Sequence, residues 1–129
     1  MLKYLSDAWM DAAAEAVAGD ESLAAAAADL DLAVDYEVTG SPFGKRRYQL
    51  RFDHGSVELV NPPVDEAQAG FSTDYDTAAQ IARGELAVQV AFMQGRLKLE
   101  GDVAVLVRDG AALDGLDDAL ADLRSRTEY

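Results

Sequence analysis

The chain has 129 residues, of which 50% are hydrophobic and 27% are charged, so it has the size of one domain and the composition of a globular protein. Its 24 acidic and 11 basic residues give a net charge of −13, which repels nucleic acid and disfavours stable association with anionic membranes. The absence of cysteine excludes disulfides, thiolate chemistry and cysteine-bound zinc.

The N-terminal part of the chain predicts two helices. Leu5 and Trp9 begin an apolar stripe of helical period through residues 5–18, with Ser6 placed to cap its start and Gly19 its end. The alanine-rich segment that follows predicts a second, short helix, and it is too short to span a bilayer. The opening MLKYLSDAW lacks the apolar core of a signal peptide, which leads us to expect a cytoplasmic protein.

Alternation of apolar and polar residues then predicts four strands, near 34–39, 47–53, 57–59 and 67–71. A DHGS turn joins the second strand to the third, which is typical of a hairpin. Each strand has one polar face, so we expect a mainly antiparallel sheet that is covered on one side only.

The second half mixes helices with one more strand. A helix is predicted from Thr73 or Asp74 to Arg83, and another is predicted at 103–107. Residues 86–94 fit a strand and a helix equally well. Between Gly95 and Gly101 lies a short strand in which Leu97 and Leu99 face one way, and leucines predict a helix at 113–123. The whole is an α+β fold, with residues 1–129 forming one domain.

Catalytic, metal and cofactor motifs are not found. His54, the only histidine, lies in the hairpin turn, where neighbours cannot hold it against a nucleophile. The aspartate runs at 29–35 and 114–122 lack the ligand spacing of a calcium loop. There is no glycine-rich phosphate-binding motif. We therefore expect no catalytic residue, no metal site and no cofactor, and a protein that is not an enzyme.

Large apolar residues are abundant in the second half of the chain. They can form an ordinary core, or they can line a cavity between the sheet and the helices, where Met93 and the branched aliphatics would suit a flexible ligand. Periodicity does not separate these two readings.

The run FSTDYDTAAQIARGELAVQVAFMQGRLKLEGDVAVLV at 71–107 resembles the second half of a sterol carrier protein domain of the type-two family, and LSDAWMDAAAEAVAGDE resembles the start of its bacterial single-domain members. The resemblance is most specific at MQGRLKLEGD. The matching positions are Asp74, Gly84, Glu85, Gln94, Gly95, Arg96, Leu97, Lys98, Leu99, Gly101 and Asp102.

The resemblance implies a five-stranded, largely antiparallel sheet with helices over one face and an apolar tunnel between the layers. It also implies that 86–94 is helical, and that the protein binds a sterol, fatty acid or fatty acyl-CoA without catalysis. Gln94 would be a polar handle for the headgroup. The cavity candidates are Trp9, Phe52, Phe71, Ile81, Leu86, Val90, Phe92, Met93, Gln94, Val103 and Leu106.

Two other functions stay open. One is an accessory protein-interaction domain whose cavity is vestigial and filled by its own side chains. The other is a small-molecule isomerase, which would need a buried aspartate that the sequence does not identify. The well-known animal members of the family are basic, whereas this chain is acidic. That difference favours lipid storage, or presentation to a lipid-metabolising enzyme, over delivery to anionic membranes.

Overall fold

The computed structural model describes residues 1–61, 63, 66–108, 115–116 and 118–129, without the side chains of Leu106 and Val107. The helices are α1 (Asp7–Ala18), α2 (Glu21–Ala26), α3 (Tyr75–Ala82), α4 (Val88–Met93), α5 (Val103–Arg108) and α6 (Ala121–Ser125). The strands are β1 (Leu2–Lys3), β2 (Asp31–Ser41), β3 (Gly44–Asp53), β4 (Ser56–Val60), β5 (Ala69–Asp74), β6 (Leu97–Gly101) and β7 (Thr127–Glu128).

Side-chain caps start three of the helices. Ser6 Oγ accepts a hydrogen bond from the backbone N–H of Trp9 at 3.2 Å, and the Asp20 carboxylate accepts one from Leu23 at 2.8 Å. The Asp74 carboxylate caps α3 in the same way. These bonds satisfy backbone donors that have no partner inside the first helical turn. The predicted caps at Ser6, Gly19 and Asp74 are confirmed.

The main sheet has five strands in the order β4-β3-β2-β5-β6. All neighbours are antiparallel except β2 and β5, which run parallel. The prediction of a largely antiparallel five-stranded sheet is therefore confirmed. The ambiguous segment 86–94 contains the helix α4, as the resemblance implied. Leu113, the start of the predicted C-terminal helix, lies outside the described residues.

The strand register separates an apolar inner face from a polar outer face. Opposite Leu32, Val34 and Tyr36 of β2, the neighbouring strands place apolar residues, whereas Asp35 and Glu37 point to the outer side. The inner-face residues are Leu32, Val34, Tyr36, Val38, Arg46, Tyr48, Leu50, Phe52, Val57, Leu59, Ala69, Phe71, Thr73, Leu97, Leu99 and Gly101.

The helices pack on this inner face in two apolar clusters. The first joins Val17 of α1, Leu23 of α2 and Val105 of α5 to the middle of the sheet. The second surrounds Trp9 and Val38, and contains the chain termini. Helices therefore cover one face of the sheet, as predicted. Within the described part of the chain, no helix has the length and hydrophobicity to cross a membrane.

The two glycines that bracket β6 have the same backbone angle but different surroundings. Gly95 and Gly101 both have a φ of +73°, where only glycine is unstrained. A Cβ atom on Gly95 would meet nothing within 4 Å. A Cβ atom on Gly101 would collide with the carbonyl oxygen of Gln68, which accepts a hydrogen bond from the Asp102 N–H at 2.8 Å. Gly101 thus lets two backbones approach closely.

We expect Gly101→Ala to lower the free energy of unfolding more than Gly95→Ala does. The second substitution adds only left-handed backbone strain, about 1 kcal/mol, whereas the first adds a backbone collision and should cost about 3 kcal/mol or more. Urea unfolding followed by circular dichroism measures both. Equal losses of unfolding free energy in the two variants would show that the close approach to Gln68 adds no cost to Gly101→Ala.

We expect Asp74→Ala to cost about 1 kcal/mol at neutral pH, because it removes the cap of α3. The pKa of the Asp74 carboxyl is lowered, first by its hydrogen bond from the Thr77 backbone. Its ionised form therefore stabilises the fold above its ordinary pKa, and that contribution is lost as the pH falls through the lowered value. As the pH falls through that value, the difference in the free energy of unfolding between the wild type and Asp74→Ala should therefore shrink, which urea unfolding measures. Asp74→Asn, which can still accept the bond, should lose less stability at neutral pH.

Candidate functional site

His54 lies in the β3–β4 turn with a φ of 47°, is exposed, and its Nδ1 lies 2.7 Å from Asp53 Oδ1. This hydrogen bond is the main reason that the pKa of His54 is raised. Among residues 1–61, 63, 66–108, 115–116 and 118–129, no group of three or more histidines and carboxylates is placed to hold a metal ion.

Three aromatic rings stack side by side across the inner face of the sheet. The ring centroids of Tyr48 and Tyr36 are 4.9 Å apart with planes 3° from parallel, and those of Tyr36 and Phe71 are 5.2 Å apart. Leu99 lies opposite Phe71 on β6 and continues the row to the edge of the sheet. All four side chains are only partly buried. We call these four residues the aromatic row, and it leaves part of the apolar face accessible.

The hydroxyl of Tyr48 stays protonated. The pKa of Tyr48 is raised, first by burial and then by the neighbouring Tyr36. A buried phenol avoids the charged form because the interior solvates it poorly. Tyr48 is therefore neutral over the physiological pH range.

A second apolar element borders this row. Its members have exposed side chains, with exposed fractions from 40% at Val103 to 83% at Met93. They are Val88, Val90, Phe92, Met93 and Val103. We call them the α4–α5 apolar surface.

The α4–α5 apolar surface is joined to the sheet at its β6 edge. Ala91 of α4 is completely buried, and its carbonyl accepts a hydrogen bond from the Arg96 N–H at 2.9 Å, just before β6. Val105 of α5 is buried in the same cluster against which Phe71 and Leu99 pack. α4 and α5 therefore contact the two strands on which the aromatic row ends, and we take the row and the surface together as the candidate site.

Two pockets of the described chain are small. One has a volume of about 40 Å³ between α1 and the C-terminus, with Trp9 and Tyr129 in its wall. A second has about 150 Å³ at one end of β2 and β3, with Phe52 and Gln68 in its wall. Pockets for drug-sized ligands measure roughly 300–1,000 Å³. A continuous apolar tunnel therefore stays a prediction.

The structure brings together only some of the predicted cavity residues. Most of the α4–α5 apolar surface consists of four predicted cavity residues, Val90, Phe92, Met93 and Val103. A fifth, Phe71, belongs to the aromatic row. Gln94 is exposed at the C-terminal cap of α4, and Leu86 is half-buried shortly before this helix.

The other predicted cavity residues lie elsewhere. Trp9 is in the terminal cluster, where its Nε1–H donates to Thr127 Oγ1 at 3.1 Å, and Phe52 is buried in the core. Ile81 is half-buried on α3. The side chain of Leu106 lies outside the described part of the structure. Tyr36, Tyr48 and Leu99 were not among the candidates, although their place in the alternating pattern puts them on the apolar face.

The fold is shared with known structures. The solution structure of a conserved hypothetical protein from Thermus thermophilus matches with a TM-score of 0.71 at 22% identity, over 92% of this chain and 88% of that one. A crystal structure of sterol carrier protein 2 matches with a TM-score of 0.72 at 22% identity, over 91% and 96%. The ubiquinone synthesis protein UbiJ-SCP2 matches with a TM-score of 0.56 at 19% identity, over 84% and 85%. A comparison with curated proteins gives no match.

These similarities define the class as an α+β fold of the sterol carrier protein type. The model of the SCP-2 sterol transfer family matches residues 11–114. The chain belongs to this family, and the resemblance read from its sequence is confirmed.

The contact of His54 with Asp53 can be measured directly because the chain has one histidine. We expect NMR titration to give His54 a raised pKa and Asp53→Asn to return it toward the ordinary value. A raised pKa stabilises the fold while His54 is protonated, and this contribution is lost as the pH rises through the folded-state pKa. An unchanged titration in Asp53→Asn would contradict the assignment.

Proposed function

We propose that the protein binds one hydrophobic lipid, such as a sterol, a fatty acid or a fatty acyl-CoA, without catalysis, and that residues 1–129 act as one lipid-binding domain. The observation that carries this proposal is the pairing of a partly accessible aromatic row with the α4–α5 apolar surface at one edge of the sheet. A cytoplasmic location stays a prediction.

Apolar side chains left exposed to water cost free energy. Burying a side chain the size of valine, phenylalanine or methionine contributes about 1.5–3 kcal/mol relative to leaving it in water. Five such side chains are exposed on the α4–α5 apolar surface, whereas Met1 and Phe43 are the other large hydrophobics found exposed among the described residues. An apolar surface grouped in this way marks a binding site more often than chance exposure does.

The polar groups of the site suit a ligand with one polar end. The neutral hydroxyl of Tyr48 lies within an otherwise apolar row, and the exposed amide of Gln94 ends α4. Sterols, fatty acids and their coenzyme A esters each combine a long apolar body with one polar group. Membership of the SCP-2 sterol transfer family supports the same class of ligand.

A second candidate is an accessory domain that binds a lipid-metabolising enzyme. The fold match to UbiJ-SCP2, a ubiquinone synthesis protein, favours this candidate, as does the small volume of the described pockets. In this reading the α4–α5 apolar surface would bind a protein, and the space under it would be filled by the domain's own side chains.

Two variants of similar exposure test the lipid-binding proposal. Val90 on α4 is 41% exposed, and Phe43 in the β2–β3 turn is 43% exposed. We expect Val90→Asp to weaken the uptake of a fluorescent fatty acid about tenfold or more, because a charge would face the ligand's apolar body. Phe43→Asp, which carries the same charge change outside the candidate site, should bind as the wild type does.

Native mass spectrometry of the gently purified protein complements this titration. A lipid that is retained in the native state and released on denaturation supports the proposal. A ligand-free mass, together with a wild type that does not take up the fluorescent fatty acid, would contradict it and favour the accessory domain.

A further inference from the structure

The inner face of the five-stranded sheet carries one charged side chain, that of Arg46 on β3; the other paired residues on this face of the described strands are uncharged. Arg46 lies two residues before Tyr48, so the two side chains share a face about 7 Å apart along the strand. The acid-free segment 38–52 has three further basic residues, which alternation places on the outer side: Lys45, Arg47 and Arg51. Arg46 is thus the charged strand residue beside the aromatic row.

The guanidinium of Arg46 is only partly satisfied. Its Nη2 lies 2.6 Å from Oδ1 of Asp7, in the first turn of α1. Its Nε is buried and has no hydrogen-bond acceptor among the described residues, which costs free energy for a charged group. The N–H groups of Nε and Nη2 form a fork that can bind a carboxylate through two parallel hydrogen bonds. Asp7 therefore occupies one of the two prongs.

The Asp7 carboxylate is a replaceable partner. Its side chain is 87% exposed, whereas that of Arg46 is 18% exposed. An ion pair with so exposed an acid contributes little to stability, because water competes for the carboxylate. An acid group on a ligand can take the place of Asp7 and also fill the prong at Nε, so that Arg46 keeps one anionic partner and gains a hydrogen bond.

The aromatic row becomes less polar with distance from Arg46. In the order of the strands, two phenols are followed by a phenyl ring and an aliphatic side chain, which are Tyr48, Tyr36, Phe71 and Leu99. Three strand spacings separate the two ends of the row, or roughly 14 Å. At the far end, α4 and α5 contact β6 and β5 and add the α4–α5 apolar surface. The candidate site therefore has a cationic end and an apolar end.

We propose that the ligand is a lipid with a free carboxylate, and that Arg46 binds this headgroup while the apolar body lies along the aromatic row toward α4. The inference rests on the proposed function and deepens it, because it assigns the class of headgroup and the direction of a ligand bound at the same site. In this orientation Arg46, rather than Gln94 at the end of α4, is the partner of the headgroup.

Two probes that differ only in the headgroup test this assignment in the full-length protein: a pyrene-labelled fatty acid and the pyrene-labelled alcohol of the same chain length. We expect Arg46→Gln to weaken binding of the acid about tenfold or more and to leave binding of the alcohol unchanged, because only the acid forms the charge-assisted pair. Arg47→Gln removes the same charge from the outer face and should bind both probes as the wild type does. Equal losses in the two variants, or an equal loss of acid and alcohol in Arg46→Gln, would overturn the proposal.

The partner of Arg46 provides a test of opposite sign. We expect Asp7→Asn to strengthen binding of the acid about threefold or more, because the competing carboxylate is gone, and to leave the alcohol unchanged. A merely structural ion pair would give losses in both Arg46→Gln and Asp7→Asn, since either substitution removes it. The absence of a gain in Asp7→Asn would contradict the proposal, and this test stands even where Arg46→Gln does not fold.

NMR of the arginine side chains measures the contact itself. The Nε–H proton of Arg46 should shift downfield when the fatty acid is added, because it gains an acceptor, whereas that of Arg47 should not move. Binding of the alcohol by the wild type tests the proposed function alone. Equal affinity for both probes with an unmoved Arg46 signal would overturn the headgroup assignment and leave lipid binding intact, whereas no binding of either probe would contradict both.

Discussion

The pairing of β2 with both of its neighbours is the constraint on which the rest of the structure depends. β2 is the central strand, antiparallel to β3 and parallel to β5, and its register sets which side chains of the whole sheet share a face. A slip of one residue would turn Asp35 and Glu37 toward the helices and move Val34 to the solvent side. The buried core, the aromatic row and the attachment of α5 all presuppose this register, so folding and the candidate site are specified together.

The inner face of the sheet is buried on both sides of the aromatic row, at Val34 and at Val38, while the row itself stays partly accessible. Around Phe52 and Leu50 the inner face is covered by α1 and α2 and is completely or almost completely buried. From Tyr48 across Tyr36 to Phe71 it is only partly covered. Proteins normally close such a gap because each exposed apolar group costs free energy. A gap that stays open beside a helix as apolar as α4 is what a binding site for a hydrophobic ligand requires.

Much of this fold could be predicted from the sequence because its signals are local. Alternation marked β2, β3 and β4, and the capping residues Ser6 and Asp74 marked the starts of α1 and α3. The parallel pairing of β2 with β5 could not be predicted, since alternation says nothing about strand order. Residues 86–94 satisfied both periods, and only the family resemblance indicated a helix.

The candidate site was predicted less completely, for a related reason. Tyr36 and Tyr48 are neighbours only through the register of β2 and β3, so a reading of one strand at a time does not pair them. Trp9 and Phe52 were included because large apolar residues suit a cavity wall as well as they suit a core. The exposure of Met93 depends on which side of α4 meets the sheet, and in a helix of six residues only one polar side chain, that of Gln89, lies on the Met93 side to indicate it.

The small sheet of β1 and β7 couples the two ends of the chain. Leu2 pairs with Thr127, and the Thr127 hydroxyl accepts the indole N–H of Trp9 while donating to the carbonyl of Leu123. Nearly the whole sequence separates these partners, so the contact closes one of the largest loops that the chain can form. During synthesis on the ribosome, α1 therefore emerges well before Thr127, the hydrogen-bond partner of its tryptophan, which lies 118 residues further along the chain. The N-terminal helix must stay incompletely anchored until translation has passed residue 127.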